Sequence, residues 1–220
     1  MANKEPKVKV QNLTKKFGDL LVLDNLNFEV EEGEFLCIVG PTGCGKTTFL
    51  NSLTRLYEPT SGEILVNGIP VDPKKQNISY IFQEYSSFPW LTVEQNIRFG
   101  LEIKKTPKAE ADANVEEMLD IVGLTKFRNY YPSQLSISML QRVAIARAFA
   151  TKPELLLMDE PYGQLDIDLR FKLEDELIKL WKKTGTTVLF ITHNIEEAVY
   201  LSQKIMVLTN KPTSVKTVLD

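Results

Sequence analysis

A glycine-rich segment that ends in a lysine and a threonine is the strongest chemical signal in this sequence. Residues 40–47 read GPTGCGKT, which matches the pattern G-x-x-x-x-G-K-[ST]. The glycines let consecutive backbone N–H groups surround phosphate oxygens, and a helix that follows directly adds the positive end of its dipole. We therefore expect a phosphate-binding loop in which Lys46 reaches the outer phosphates, Thr47 binds Mg²⁺ and Thr48 adds a contact. The alternative is a glycine-rich turn without a ligand.

Two adjacent carboxylates follow another apolar segment. Residues 155–158 read LLLM, and Asp159 and Glu160 come directly after them. At the carboxyl end of a buried strand beside the phosphate loop, Asp159 can hold Mg²⁺ through water and Glu160 can polarise an attacking water molecule. Taken alone, the pair also fits an acidic turn between a strand and a helix. Together with the phosphate loop, it predicts a site that hydrolyses a nucleotide.

The elements around these residues predict an α/β fold. Residues 35–39 form a short apolar segment that enters the phosphate loop, as a buried parallel strand does. Such strands belong to a parallel sheet when helices alternate with them. Beyond the helical middle of the chain, the alternating segments are strands at 155–158, 187–191 and 204–209 and helices at about 168–183 and 195–202.

The N-terminal and middle parts of the chain differ from this core. Residues 8–16 and 20–30 predict strands, and Asn67-Gly68 between two short apolar segments predicts a hairpin. Residues 87–150 predict helices, because a capping box at residues 92–95 precedes apolar residues at helical spacing. We expect a single domain with three parts: a core of residues 1–86 and 151–220, an antiparallel β subdomain within that core, and an inserted helical subdomain of residues 87–150.

Composition narrows the function classes. The 220 residues carry a net charge of -3, which gives no general affinity for nucleic acid. No apolar segment approaches the ~18–20 residues that span a bilayer, and the N-terminal residues lack the apolar core of a signal peptide. The two cysteines do not suggest a disulfide framework, so we expect a reducing cytosol.

With these motifs in place, the chain resembles the ATP-binding subunits of ABC transporters over nearly all of its length. Residues 40–47 are similar to the Walker A motif, and residues 155–160 to the Walker B motif with its catalytic glutamate. Gln83 resembles the Q-loop glutamine, residues 163–166 resemble the D-loop of the dimer interface, and His193 resembles the switch histidine that contacts the γ-phosphate. The resemblance implies a P-loop NTPase core.

The resemblance also implies ATP and Mg²⁺ as cofactors and a set of site residues. Phe17 is placed like the aromatic residue that stacks on adenine, although an aromatic near a strand end more often fills a core. The implied catalytic residues are Lys46, Glu160 and His193. The implied Mg²⁺ ligands are Thr47, Gln83 and Asp159. The implied nucleotide contacts are Phe17, Gly40, Pro41, Thr42, Gly43, Cys44, Gly45, Lys46, Thr47, Thr48, Gln83 and Ser136.

Residues 88–93, which read FPWLTV, are similar to a segment in importers of nitrate, sulfonate, taurine and related small anions. By analogy, Tyr85, Phe88 and Trp90 would line a groove for a short helix of a transmembrane permease. The alternative is that Trp90 fills the core of the helical subdomain. An importer would also involve an extracytoplasmic solute-binding protein, and the chain would lie peripherally on the cytoplasmic face of the cell membrane.

The chain departs from the family pattern at the signature motif. In the family, two subunits pack head to tail, and the signature serine and following glycine N–H groups contact the γ-phosphate bound by the partner. Here Ser136 is retained, but Ile137 and Ser138 replace the two glycines. Glycine permits close backbone approach, whereas a β-branched side chain is bulky and stiff.

This departure leaves three functions open. The first is a working ATPase subunit, in a homodimer or a heterodimer, whose closure or turnover is slower. The second is a nucleotide-binding regulatory or structural subunit with little hydrolysis. The third is a soluble ABC-type ATPase outside transport, although such proteins usually add a long coiled coil or a second ATPase domain that this sequence lacks.

Overall fold

The computed structural model describes residues 5–83, 86–163, 165 and 167–220, and two β-sheets organise this part of the chain. The strands are β1 (Val8–Phe17), β2 (Leu20–Val30), β3 (Phe35–Val39), β4 (Ser61–Val66), β5 (Ile69–Pro70), β6 (Ile78–Ile81), β7 (Leu155–Asp159), β8 (Thr187–Ile191), β9 (Lys204–Leu208) and β10 (Val215–Leu219). The helices are α1 (Lys46–Leu53), α2 (Val93–Ile103), α3 (Lys108–Ile121), α4 (Ile137–Ala150), α5 (Ile167–Thr184) and α6 (Ile195–Leu201).

The smaller sheet is antiparallel and has the strand order β2-β1-β4-β5. Along β1, the buried Val8 and Val10 alternate with more exposed residues, as expected of a sheet with one face on the core. The predicted hairpin between β4 and β5 is present, with Val66 paired to Ile69. Its two turn residues, Asn67 and Gly68, have φ angles of 54° and 73°, which is the conformation that favours Asn-Gly.

The larger sheet has the order β10-β9-β3-β8-β7-β6, and all its pairings are parallel except that of β10 with β9. Every residue of β3, β7 and β8 is buried, because apolar side chains cover both faces of these central strands. The prediction of a parallel α/β core is therefore confirmed. No helix in the described part of the chain is long and apolar enough to cross a membrane.

Helices α2, α3 and α4 lie between β6 and β7 in the chain, as the helical middle predicted. Thr92 closes a capping box at the start of α2, and the Ser136 side chain caps the start of α4. Gly123 follows α3 with a φ of 66°, which ends that helix. The division into subdomains at residues 87 and 150 remains a prediction.

Two strands were not predicted. β6 is only four residues long and reads ISYI, and β10 is mostly exposed and reads VKTVL. Both lie at the edges of the larger sheet, where pairing with a neighbour rather than an apolar segment defines the strand. The larger sheet is thus wider than the sequence indicated.

Candidate active site

Most of the predicted site residues meet at one edge of the larger sheet. Strand β3 enters the phosphate loop, neighbouring β8 leads to His193, and β7 beside β8 ends at Asp159. Because these strands are parallel, their carboxyl ends lie at the same edge, and Asp159 is paired with Ile191. Ligands of open α/β sheets bind at such an edge.

The phosphate loop has a backbone shape that depends on glycine. Gly43 and Gly45 have φ angles of 74° and 117°. A Cβ atom on Gly45 would lie 2.9 Å from Cγ1 of Val22, so any larger residue there would clash with the Val22 side chain. The side chain of Cys44 is 2% exposed and packs in the core, and its N–H donates to the Pro41 carbonyl at 3.1 Å. Cys44 therefore anchors the loop and offers no thiol to a ligand.

Lys46 is buried at the start of α1, with an exposed fraction of 5%. Its Nζ donates to the carbonyl oxygens of Gly40 and Pro41 at 2.9 and 3.3 Å. It also lies 3.8 Å from Oε1 of Glu160. Burying an ammonium group without partners costs free energy, and these three oxygens supply its partners. They also hold its positive charge beside the loop.

Asp159 lies beneath the loop and is 4% exposed. The Tyr80 hydroxyl donates to its Oδ2 at 3.2 Å, and the Thr47 side chain also bonds to it. Burial raises the pKa of the Asp159 carboxyl, although both hydrogen bonds act in the opposite direction. A carboxylate beside a threonine hydroxyl supplies the hard oxygen donors that Mg²⁺ prefers, so these residues fit that ion.

Glu160 and His193 form a second contact at the same edge. Oε2 of Glu160 lies 2.9 Å from Nδ1 of His193. Glu160 has a φ of 45°, a left-handed conformation that few non-glycine residues adopt, and its N–H donates to the Ile191 carbonyl at 3.0 Å. This backbone strain is held by the sheet, and it is of the kind found at functional sites.

A pocket of about 420 Å³ brings most of the predicted residues together. Its predicted lining residues are Phe17, Thr42, Gly43, Gly45, Lys46, Thr47, Thr48, Gln83 and Glu160. An adjoining cavity of about 550 Å³ is lined by Gly40, Pro41 and His193. The ring of Phe17 is 42% exposed and meets Tyr57 edge to face at 5.3 Å, so it stands at the pocket edge outside the core.

Four residues of the site were not predicted from the sequence. Leu20, Val22 and Lys211 line the pocket, and Tyr80 bonds to Asp159. Leu20 and Val22 belong to the smaller sheet, which reaches the loop only in the folded chain. No local pattern marks Lys211 or Tyr80, because each reaches the site through pairing or loop placement.

Two predicted nucleotide contacts, Cys44 and Ser136, line neither of these cavities. Cys44 belongs to the phosphate loop itself, whereas Ser136 lies at the start of α4. Its Oγ accepts a hydrogen bond from the N–H of Met139 and lies 3.0 Å from Oγ of Ser138. Ile137 is 51% exposed at the first position of α4. The first N–H groups of a helix have no acceptor within the helix. The N–H groups of Ile137 and Ser138 are therefore free of intrahelical bonds at the N-terminal end of α4.

The predicted groove is only partly described. Phe88 packs against Phe99 and Trp90 at ring distances of 4.4 and 5.6 Å, with the Arg147 guanidinium 4.9 Å from its ring centre. Trp90 is 70% exposed, so the alternative in which it fills a core is wrong. The predicted Tyr85 contact lies outside the described residues, as do Gln164 and Asp166 of the predicted D-loop.

Comparisons with known sequences show which family shares this arrangement. The ABC transporter family matches residues 23–163. An uncharacterized ABC transporter ATP-binding protein of Methanocaldococcus jannaschii is 46% identical, covering 97% of this chain and 81% of the relative. The nitrate import ATP-binding protein of Synechocystis is 43% identical, and the match covers 91% of this chain and 76% of that relative. The aliphatic sulfonates import ATP-binding protein of Bacillus cereus is 42% identical, and the match covers 94% of this chain and 81% of that relative.

Solved structures agree with the sequences. A dimeric ATP-binding cassette in a post-hydrolysis state with ADP and Pi is 34% identical, with a TM-score of 0.83, and covers 97% of this chain and 98% of the other. A component of an ABC transporter complex from Clostridium perfringens has a TM-score of 0.89 at 26% identity. The match covers 98% of this chain and 88% of that structure. The fold is therefore that of an ATP-hydrolysing domain. The chain belongs to the ABC transporter family, as an ATP-binding subunit of its importer group.

Proposed function

We propose that this chain hydrolyses ATP, with Mg²⁺, to drive the import of a small anion such as nitrate or an organic sulfonate. The relatives named above as nitrate and aliphatic sulfonates import proteins support this solute class. One observation carries the catalytic assignment: Lys46, Glu160 and His193 meet at the carboxyl edge of the parallel sheet. A base and a buried cation at one pocket suit the transfer of a phosphoryl group to water.

Each side chain has a distinct task in this mechanism. Lys46 and the N–H groups at the start of α1 hold the β- and γ-phosphates of ATP. The oxygens of Thr47 and Asp159 would hold Mg²⁺, which would neutralise charge on these phosphates. Glu160 accepts the proton of the attacking water molecule.

His193 and Gln83 complete the site. The hydrogen bond between Nδ1 of His193 and Glu160 orients both side chains toward one position. Gln83 follows β6 and lines the pocket from the side of the helical segment, where it can contact the water and report the state of the nucleotide. Phe17 provides an exposed ring for adenine at the pocket edge.

We also infer a head-to-tail dimer that docks on a permease at the cytoplasmic face of the membrane. The dimeric relative supports the first part, and the exposed Trp90 beside Phe88 supports the second, because exposed aromatic rings are typical of surfaces that bind a helix. In that assembly Ser136 would contact the nucleotide of the partner, which agrees with its place outside this chain's own cavities. A solute-binding protein would act through the permease alone.

Substitution of Glu160 by glutamine tests the catalytic assignment. Glutamine keeps the size of the side chain but cannot accept the proton, so we expect ATP hydrolysis to fall by about 10²–10⁴-fold while ATP binding is retained. Glu196→Gln, an exposed residue at the start of α6, is the matched control and should leave hydrolysis unchanged. Hydrolysis that persists in Glu160→Gln would contradict the role of Glu160.

The two other functions left open by the sequence gain no support from the site. A subunit that only binds nucleotide would not need Glu160 bonded to His193, yet that contact is formed. A soluble ATPase outside transport is not suggested by relatives named as import proteins. The effect of Ile137 and Ser138 therefore concerns the rate of the cycle rather than its nature.

A further inference from the structure

Two glutamates are buried behind His193 without the partners that buried carboxylates need. Glu174 on α5 is 1% exposed, and Glu197 on α6 is 6% exposed. Within the described chain, no hydrogen bond reaches either carboxylate oxygen of Glu174, or Oε1 of Glu197. An ionised carboxylate in such a place is strongly disfavoured. These oxygens therefore require a proton or a cation.

The two carboxylates interact with each other, although no donor among the residues that the structure describes reaches either oxygen of Glu174. Helices α5 and α6 pack together here, where the Tyr200 hydroxyl donates to Asp175. Two ionised carboxylates have only acceptors, so Glu174 and Glu197 can share a hydrogen bond only when one of them carries a proton. Burial, and then the charge of Glu197, raises the pKa of Glu174 to about 7. Burial also raises the pKa of Glu197, although the Thr192 hydroxyl bonds to it.

The other charged and titratable groups around the pair do not replace that proton. Arg170 on α5 is the nearby cation, but its Nη2 donates to the Leu165 carbonyl at 3.5 Å, and its Nε has no partner among the described residues. The remaining groups that interact with the two glutamates are Asp175 on α5, Cys37 on β3, Tyr162 and Glu160 after β7, and His193 after β8.

We propose that Glu174 and Glu197 share one proton at neutral pH, and that this pair positions His193 by holding α6 against α5. Thr192 bonds to Glu197 and directly precedes His193 in the chain. A cavity of about 20 Å³ is lined by Glu197, Arg170, Glu160 and His193, so Glu197 is the member of the pair that borders the catalytic contact. Loss of the proton would place two negative charges side by side in the core and separate the helices.

Thermal unfolding tests the shared proton without ATP. Because the folded chain holds a proton that the unfolded chain releases at lower pH, stability is highest below the unfolded pKa of about 4.5 and falls until pH about 7. Glu174→Gln keeps the shape and the donor but cannot ionise. We expect its melting temperature to rise relative to wild type between pH 5 and 8, while Glu196→Gln follows wild type. If the difference in melting temperature between Glu174→Gln and wild type does not change with pH, the shared proton is overturned. Glu197→Gln repeats the test if Glu174→Gln does not fold.

The pH profile of hydrolysis tests the positioning role, which rests on the proposed function of His193. At pH 8 about nine tenths of a group with a pKa of about 7 has lost its proton. We expect the rate of Glu174→Gln relative to wild type to rise about tenfold between pH 6 and 8. A constant ratio, with the melting difference intact, would overturn the link to His193. Absence of hydrolysis in both proteins would contradict the proposed function and leave the melting test in force.

Discussion

The pocket at the sheet edge and the start of α4 show opposite relations to the ABC transporter pattern. At this edge, Lys46, Asp159, Glu160 and His193 are all present, and Glu160 lies 3.8 Å from Lys46 and 2.9 Å from His193. At the start of α4, only Ser136 follows the pattern, and the exposed Ile137 takes the place of a glycine. From this difference we propose that the chain binds its own nucleotide normally but acts less well on the nucleotide of its partner.

Loss of Lys46 should have the largest effect. Lys46→Met removes the buried cation beside the phosphate loop, so we expect ATP binding to become undetectable and hydrolysis to fall by about 10²–10³-fold or more. Equilibrium binding of a fluorescent ATP analogue measures the first effect. Lys172→Met, an exposed lysine on α5, is the control. Normal ATP binding by Lys46→Met would break the comparison, because the pocket would then not be the nucleotide site.

Restoring glycine at the start of α4 should have an intermediate effect. We expect Ile137→Gly with Ser138→Gly to raise hydrolysis by the dimer about tenfold, less than the ~10²–10³ that a lost donor costs, because Ile137 keeps its N–H. Steady-state ATPase assays at several protein concentrations measure it. Ile103→Gly changes another exposed isoleucine, at the end of α2, and should not raise the rate. An unchanged rate in the restored protein would mean that Ile137 and Ser138 do not slow hydrolysis, and the difference between the two regions would disappear.

Phe17 should have a smaller effect, confined to binding. An aromatic contact is worth about 0.5–1.5 kcal/mol, so Phe17→Ala should raise the KM for ATP about fivefold and leave kcat unchanged. Phe17→Trp keeps a stacking surface and should stay near wild type. An unchanged KM in Phe17→Ala would remove the ring from the adenine site.

Trp90 should have no effect on hydrolysis by the isolated chain. It is 70% exposed and lines neither of the cavities around the phosphate loop. We expect Trp90→Ala to lose co-purification with the permease from membranes, whereas Phe171→Ala, an exposed aromatic on α5, keeps it. A permease that still co-purifies with Trp90→Ala would contradict docking at this surface.

The sequence predicted the parts of the site that follow buried strands. Residues 40–47 and 155–160 carry their chemistry directly after an apolar segment, so a linear pattern places them. Gln83 and Phe17 have no such pattern and were placed by resemblance alone. The pocket contains both of them, while their roles stay predictions.

The rest of the site depends on tertiary pairing that no local pattern records. Tyr80 reaches Asp159 because β6 pairs with β7 across more than seventy residues of sequence. Glu174 and Glu197 lie on different helices, and each resembles an ordinary exposed helix residue until α5 and α6 bury it. Edge strand β10 is exposed and polar enough to resemble a loop. Burial and pairing, rather than residue type, define these features.

Mixed dimers test the central claim most directly, because they separate a subunit's own nucleotide from its partner's. In each dimer one subunit carries Glu160→Gln, so that only the nucleotide bound by the other subunit is hydrolysed. The two restoring changes, Ile137→Gly and Ser138→Gly, are then placed in either subunit. The account predicts faster hydrolysis when the glycines lie in the Glu160→Gln subunit and no gain when they lie in the subunit with Glu160 intact. A gain only in the second arrangement would contradict it.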